Sequence, residues 1–161
     1  MASQNIHATA ILLSGRGVLL RGRSGAGKSL LALLLIEAWA GRGEEAMLVA
    51  DDRVDIAADD RGVILSPPAA LAGLIELRGR GIVQRPHRDR ARLSLVVDLV
   101  PDLERMPEEH HFMTELMGHA FARCPVPELG VVGADHQRLL IAEALAAIAI
   151  PVTGDNLSLA T

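Results

Sequence analysis

The stretch "LLRGRSGAGKSLLALLLIEA", residues 19–38, constrains this chain more than any other. In it Gly22, Gly27, Lys28 and Ser29 satisfy G-x-x-x-x-G-K-[ST] between an apolar strand-like run and a run of helix formers. Glycines let the backbone take positive φ, so successive N–H groups converge on phosphate oxygens, and the helix that follows adds the positive end of its dipole. On this reading Gly22, Arg23, Ser24, Gly25, Ala26, Gly27, Lys28 and Ser29 bind a nucleotide. Lys28 is a flexible point charge for the β- and γ-phosphates, and the Ser29 hydroxyl is a hard oxygen ligand for Mg²⁺. Lys28 is also the one lysine in a chain with fifteen arginines. It is kept at the position where arginine's planar fork would be the wrong tool.

Around that anchor the pattern alternates strands and helices. "ATAILL" and "GVLLRG" flank "SGRG" as a hairpin whose second strand runs into the glycine-rich loop. Residues 28–40 read as a helix apolar almost all round, hence buried, ended by "AGRGEE". "AMLVA" reads as a central strand covered on both faces, with Asp51 and Asp52 at its C-terminal end. "RVDIA" and "GVILS" form a second hairpin about "ADDR", and the prolines of "PPAALAGLIEL" open a helix. "RLSLVVDLV" is a further strand and "DHQRLLIAEALAAIA" an amphipathic C-terminal helix. With no internal repeat, low-complexity tract or linker, one α/β domain is expected over residues 1–161.

A loop that holds a nucleotide becomes a transferase only with carboxylates for the metal and for the acceptor's proton. "LVADDRVD" supplies two adjacent ones, Asp51 and Asp52, which invites a division of labour: one on the metal side and the other for the proton. Composition narrows the partners. A formal charge of −4, no Tyr, two Phe and one Trp leave neither the charge nor the stacking surface for nucleic acid. The run "LLALLLIEAWA" is broken by Glu37 and falls short of the about 20 residues of a membrane span. A lone Cys124 and a start without signal-peptide features point to a cytoplasmic protein.

Three blocks, "GRSGAGKS" (22–29), "LVADDRVDI" (48–56) and "IELRGRGIV" (75–83), resemble in order and spacing the catalytic domain of HPr kinase/phosphorylase, the enzyme that phosphorylates a serine of the phosphocarrier HPr. The likeness covers roughly residues 5–106. It implies a mixed central sheet with flanking helices, related to phosphoenolpyruvate carboxykinase, and a P-loop kinase using ATP and Mg²⁺ in phosphotransferase-system regulation. By position, Lys28 resembles the phosphate-binding lysine, Ser29 and Glu76 the metal side, and Asp52 the general base, which leaves Asp51 of the pair for the metal side. His7 stands where the family has a histidine before the hairpin, and Arg105 of "LERM" resembles its catalytic arginine.

In "ELRGRGIVQRPHRDRAR" the run from Arg78 to Arg92 holds six arginines and one acid, Asp89, which suits a phosphate or an anionic protein surface. Arg78, Gly79, Arg80 and Gly81 are the candidate contacts with the partner, HPr or other phosphotransferase-system or two-component proteins. The family's long N-terminal domain is not seen ahead of the P-loop, as in short alphaproteobacterial forms, and full-length members are hexamers, so a homo-oligomer is expected. The family's "PVRPGRN" block, tied to dephosphorylation, has no match in "PVPELGVVGADHQR" (125–138), which leaves kinase activity as the expectation. Two readings stand beside it: a nucleotide-sensing binding module without phosphotransfer, and a P-loop kinase for a small molecule. The segment "EEHHFMTELMGHAFARC" carries no assigned role. His110 and His111 are adjacent and cannot share a helix face, and with His119 and His136 they read as ordinary histidines rather than metal ligands.

Overall fold

The structure, a computed structural model, describes residues 3–148. The first hairpin forms as the sequence predicts: β2 (Thr9–Leu13) pairs antiparallel with β3 (Arg16–Arg21). Ser14 and Gly15 turn between them, both at positive φ, the two-residue turn whose twist matches the strands. Ahead of them β1 (Ser3–His7) crosses to pair with β5 (Arg53–Asp59), and β5 makes the second hairpin with β6 (Gly62–Ser66).

The strand over residues 92–100 is β9 (Ala91–Val100), the hub of the sheet. It pairs with β6 at Ala91 and Arg92, with β3 in parallel over Leu93–Asp98, and in parallel with β11 (His119–Pro127) over Leu95–Val100. The main path runs β1-β5-β6-β9-β3-β2, ending at β4 (Ala46–Ala50), while β11 and its partner β10 (Met113–Leu116) branch from β9.

Alternation along these strands builds two cores. Val18, Leu20, Leu95, Val97, Cys124 and Val126 face the helices α1 (Lys28–Gly41) and α2 (Ala134–Ala147). On the opposite face Leu19 and Val96 meet Val54, Ile56, Val63 and Leu65, so the sheet curls until its β5–β6 part closes on its own centre. Burying both faces of a sheet in this way removes apolar surface from water at roughly 25 cal/mol per Å².

Several expectations are corrected. The strand "AMLVA" ends the sheet path instead of lying centrally; beyond it only the 86–88 segment bonds, through Leu48 N–H to Pro86 O (3.0 Å) and Arg88 N–H to Leu48 O (2.9 Å). Its apolar character has another cause: Leu48 packs into one core and Val49 into the other, and two covered faces do not require two paired edges. The helix expected from "PPAALAGLIEL" is one 3-10 turn, Ala69–Leu71, followed by β7 (Leu74–Leu77), which pairs with β8 (Gly81–Gln84). Gly73 at φ 77° stops the helix, which is too short to be stable without tertiary help.

Helix α1 is not buried all round, since Leu30 and Leu34 are each more than a third exposed on the stripe that carries Glu37. It ends one residue beyond the expected boundary, with Gly43 at positive φ donating its N–H to Ala40 O. The C-terminal helix forms and buries Gln137, Ile141 and Leu145; the last residue of its predicted span, Ala149, lies outside the described residues. Among the described residues no helix is long and apolar enough to cross a membrane.

Candidate active site

Strand β3 delivers the chain to the glycine-rich loop at Arg21, and α1 leaves it at Lys28. Gly25 and Gly27 take φ of 85° and 97°, the left-handed turns the loop requires. The Lys28 ammonium reaches back to donate to Gly22 O (2.7 Å) and Arg23 O (3.0 Å), so it lies inside the loop. Burial pushes the Lys28 ammonium below its ordinary range, and the Asp51 and Asp52 carboxylates offset part of that push.

Gly27 has a second constraint. A Cβ there would stand 2.9 Å from the Leu129 Cβ. Gly27→Ala is therefore expected to lower stability by about 2 kcal/mol, read as a lower urea midpoint at unchanged m-value, because left-handed geometry and overlap both count against it.

Opposite the loop, the two aspartates occupy different environments. Asp51 is buried and fully engaged: Oδ1 accepts from the Thr9 hydroxyl (2.9 Å) and the Ser29 hydroxyl (2.7 Å), and Oδ2 from the Glu76 N–H (3.0 Å). Asp51 thus ties β2, α1 and β7 together from behind the cavity wall. Asp52, at φ 67°, carries an exposed carboxylate whose Oδ1 is 3.1 Å from His7 Nε2. A cavity of about 200 Å³ gathers His7, Lys28, Ser29, Asp52, Glu76 and Arg78.

Of the other residues singled out from sequence, Ser24, Gly25 and Gly27 also line this cavity, whereas Ala26 is buried beneath the loop. Gly22 supplies a carbonyl to Lys28, and Arg23 pairs with Glu128. Gly79 and Arg80 sit in the β7–β8 turn, with Gly81 opening β8 beside them. Arg105 is not brought to the phosphate loop; it lines a separate cavity of about 870 Å³ with Phe112, Cys124 and Leu140, between the 101–113 segment, β11 and α2.

Sequence reasoning passed over three residues at the site: Thr9, Glu128 and Leu129. Thr9 is a buried hydroxyl in an otherwise apolar strand, a signal that could have been read. Glu128 and Leu129 follow β11, which pairs antiparallel with β10 across Met117 and Gly118, both at positive φ. That dipeptide is the hairpin signal hidden in "EEHHFMTELMGHAFARC". Two histidines of this region pair locally, His110 with Glu108 and His111 with Glu104, whereas the His119 ring meets a distant partner, Asp59 O.

Beneath the loop a charged brace joins three parallel strands. Asp98 of β9 receives Arg21 Nε at 2.7 Å and Arg123 Nε at 2.6 Å. Burial alone would raise the Asp98 pKa; the hydrogen bonds from Arg21 and then Arg123 override it and hold the carboxyl below the ordinary range. A carboxylate depressed in the folded state contributes stability above its unfolded pKa of about 3.9 and loses it as pH falls through the lower folded value. Asp98→Asn is expected to cost about 2 kcal/mol at pH 7, and the gap from wild type should close as denaturation is repeated below about pH 4.

The donor set suits Mg²⁺: a hydroxyl and carboxylates, all hard oxygens. Among the described residues no three acidic, histidine or cysteine side chains converge to hold a metal by themselves. An ion here would be shared with phosphate oxygens, the usual habit of Mg²⁺.

Comparison with known proteins agrees with this geometry. The family model described as the HPr Serine kinase C-terminal domain matches residues 1–131. The HPr kinase/phosphorylase of Levilactobacillus brevis is 35% identical over 113 residues, 68% of this chain and 34% of its own length. That of Lactiplantibacillus plantarum is 34% identical over 137 residues, 80% of this chain and 41% of its own. The chain thus spans between a third and a half of these relatives. The solved structure of the Hpr(Ser) kinase/phosphatase from Coxiella burnetii superposes with a TM-score of 0.69 at 27% identity, covering 89% of this chain and 94% of that one.

Proposed function

The chain belongs to the HPr serine kinase C-terminal domain family, and from that premise we propose that it transfers the γ-phosphoryl group of ATP, with Mg²⁺, to the serine hydroxyl of HPr. The observation that carries the reading is the single cavity in which Lys28, Ser29, Asp52 and Glu76 converge. A binding module needs the phosphate loop alone. A phosphoryl transferase needs, besides it, a carboxylate open to an acceptor, and Asp52 is such a group.

The loop N–H groups and Lys28 hold the β- and γ-phosphates in line with the acceptor. Ser29 and Glu76 would hold Mg²⁺, which when bound neutralises charge developing on the phosphate oxygens. The Asp52 carboxylate takes the serine proton as the new O–P bond forms and the bond from γ-phosphorus to the bridging oxygen breaks, releasing ADP. His7, against Asp52 Oδ1, orients that carboxylate. Asp51 acts one step back, fixing Ser29 and the strand that carries Glu76. The Arg78–Gly79–Arg80 turn, basic and beside the cavity, offers HPr an anion-seeking surface.

The test is direct. The protein is mixed with ATP, Mg²⁺ and HPr from its own organism, and HPr is weighed by mass spectrometry. Phosphoserine is the expected product; nucleotide bound without any phospho-HPr formed would overturn the reading.

A further inference from the structure

Strands β3, β9 and β11 are parallel, so the loops after β3 and β11 leave at the same edge, where open parallel sheets bind their ligands. The loop after β3 is the phosphate loop. The one after β11, residues 128–133, carried no motif in the sequence, yet it is bonded to the phosphate loop at several points. Leu129 N–H donates to Ala26 O (3.1 Å), and Leu129 packs where Gly27 has no side chain. Arg23, the loop's second residue, forms a bidentate pair with Glu128: Nε to Oε2 at 2.7 Å and Nη2 to Oε1 at 3.1 Å.

The two partners are held unequally. The Glu128 side chain is 6% exposed and that of Arg23 76%. The Glu128 backbone is anchored in turn by its N–H to Val100 O (2.8 Å). The acid is therefore the fixed member and the arginine of the loop is the one being held. An acid beside an anion-binding loop carries the wrong charge to touch a phosphate. Its effect on the ligand has to pass through Arg23.

We propose that Glu128 is a positioning residue for the phosphate loop, acting through Arg23 to set the loop's shape before a phosphate arrives. This rests on the nucleotide reading above and extends it to a residue outside the P-loop motif. A preformed loop meets the ligand with its N–H groups already aligned, whereas an unanchored one must be ordered at the expense of affinity. The charge-assisted bidentate geometry supplies both the strength and the orientation for that task.

The experiment uses Glu128→Gln, which keeps shape and removes charge, Arg23→Ala, and the double variant. In the free protein, amide hydrogen exchange of residues 24–27 is expected to rise about fivefold in Glu128→Gln, with α1 amides unchanged. By calorimetry, Glu128→Gln should weaken Mg-ATP and inorganic pyrophosphate about fivefold. Arg23→Ala should weaken them at least as much, and the double variant no more than Arg23→Ala alone. Unchanged loop exchange would overturn the proposal, whatever the nucleotide does. Tighter binding by Glu128→Gln would overturn it too, making Glu128 a competitor for Arg23, as would additive losses, which would route its effect through Leu129. If the wild type binds neither ligand, the nucleotide reading fails while the exchange measurement still judges the Arg23–Glu128 pair.

Discussion

Lys28→Ala is expected to lower kcat/KM for HPr phosphorylation by about 10³-fold, the scale of removing a preorganised donor to developing charge. It should also weaken Mg-ATP binding measured by calorimetry. Lys28→Arg should not restore it. The ammonium sits inside the loop between Gly22 O and Arg23 O, with the residue 7% exposed, and a planar fork with five donors has no room there without displacing the loop. Stability should move the other way. Because burial depresses the Lys28 pKa, folding disfavours its charge at neutral pH, and the deficit would vanish only above the unfolded value of about 10.4. Lys28→Met, uncharged and of similar length, is expected to melt no lower than wild type while losing nucleotide affinity. Retention of near wild-type turnover by Lys28→Ala would remove the lysine from the mechanism.

Asp52→Asn is expected to lower kcat by about 10³-fold, within the range for loss of a general base, and to leave Mg-ATP affinity within about threefold. The substitution is a clean test for a structural reason. Asp52 sits at φ 67°, a conformation that costs most side chains energy but that asparagine adopts as readily as aspartate, so the backbone has no cause to shift. Its carboxylate is exposed and paired only with His7 among the described residues, so the change buries no orphaned group. Near wild-type turnover would move the base elsewhere, with Glu76, on the same cavity wall, the next to test.

Much of the site was legible because its signals are local. A glycine spacing, one lysine and one serine between a strand and a helix make the phosphate-loop pattern, and the two aspartates of "ADDRVDI" directly follow a strand end. The hairpins at Ser14–Gly15 and Asp60–Arg61 were equally readable, since turn chemistry is set by adjacent residues. "PPAALAGLIEL" misled because its prolines and alanines are compatible with a helix start, whereas the decision fell to Gly73 and to the pairing of Leu74–Leu77 with Gly81–Gln84. Strand β4 misled in another way: an apolar run reports covered faces and is silent about which edges are paired.

Local pattern, then, was legible in the chain itself: the glycine-rich loop, the acidic strand end and the family likeness of the blocks that hold them. Tertiary structure alone decided which distant groups meet. Thr9 lies 42 residues from the Asp51 it bonds, and Arg23 lies 105 from Glu128. The same packing turned two neighbouring aspartates into a buried anchor and an exposed base candidate, and left Arg105 in a different cavity. The reason is physical: a motif records what a short stretch of backbone can do, whereas contacts across a curled sheet depend on strand order and on which face each residue takes.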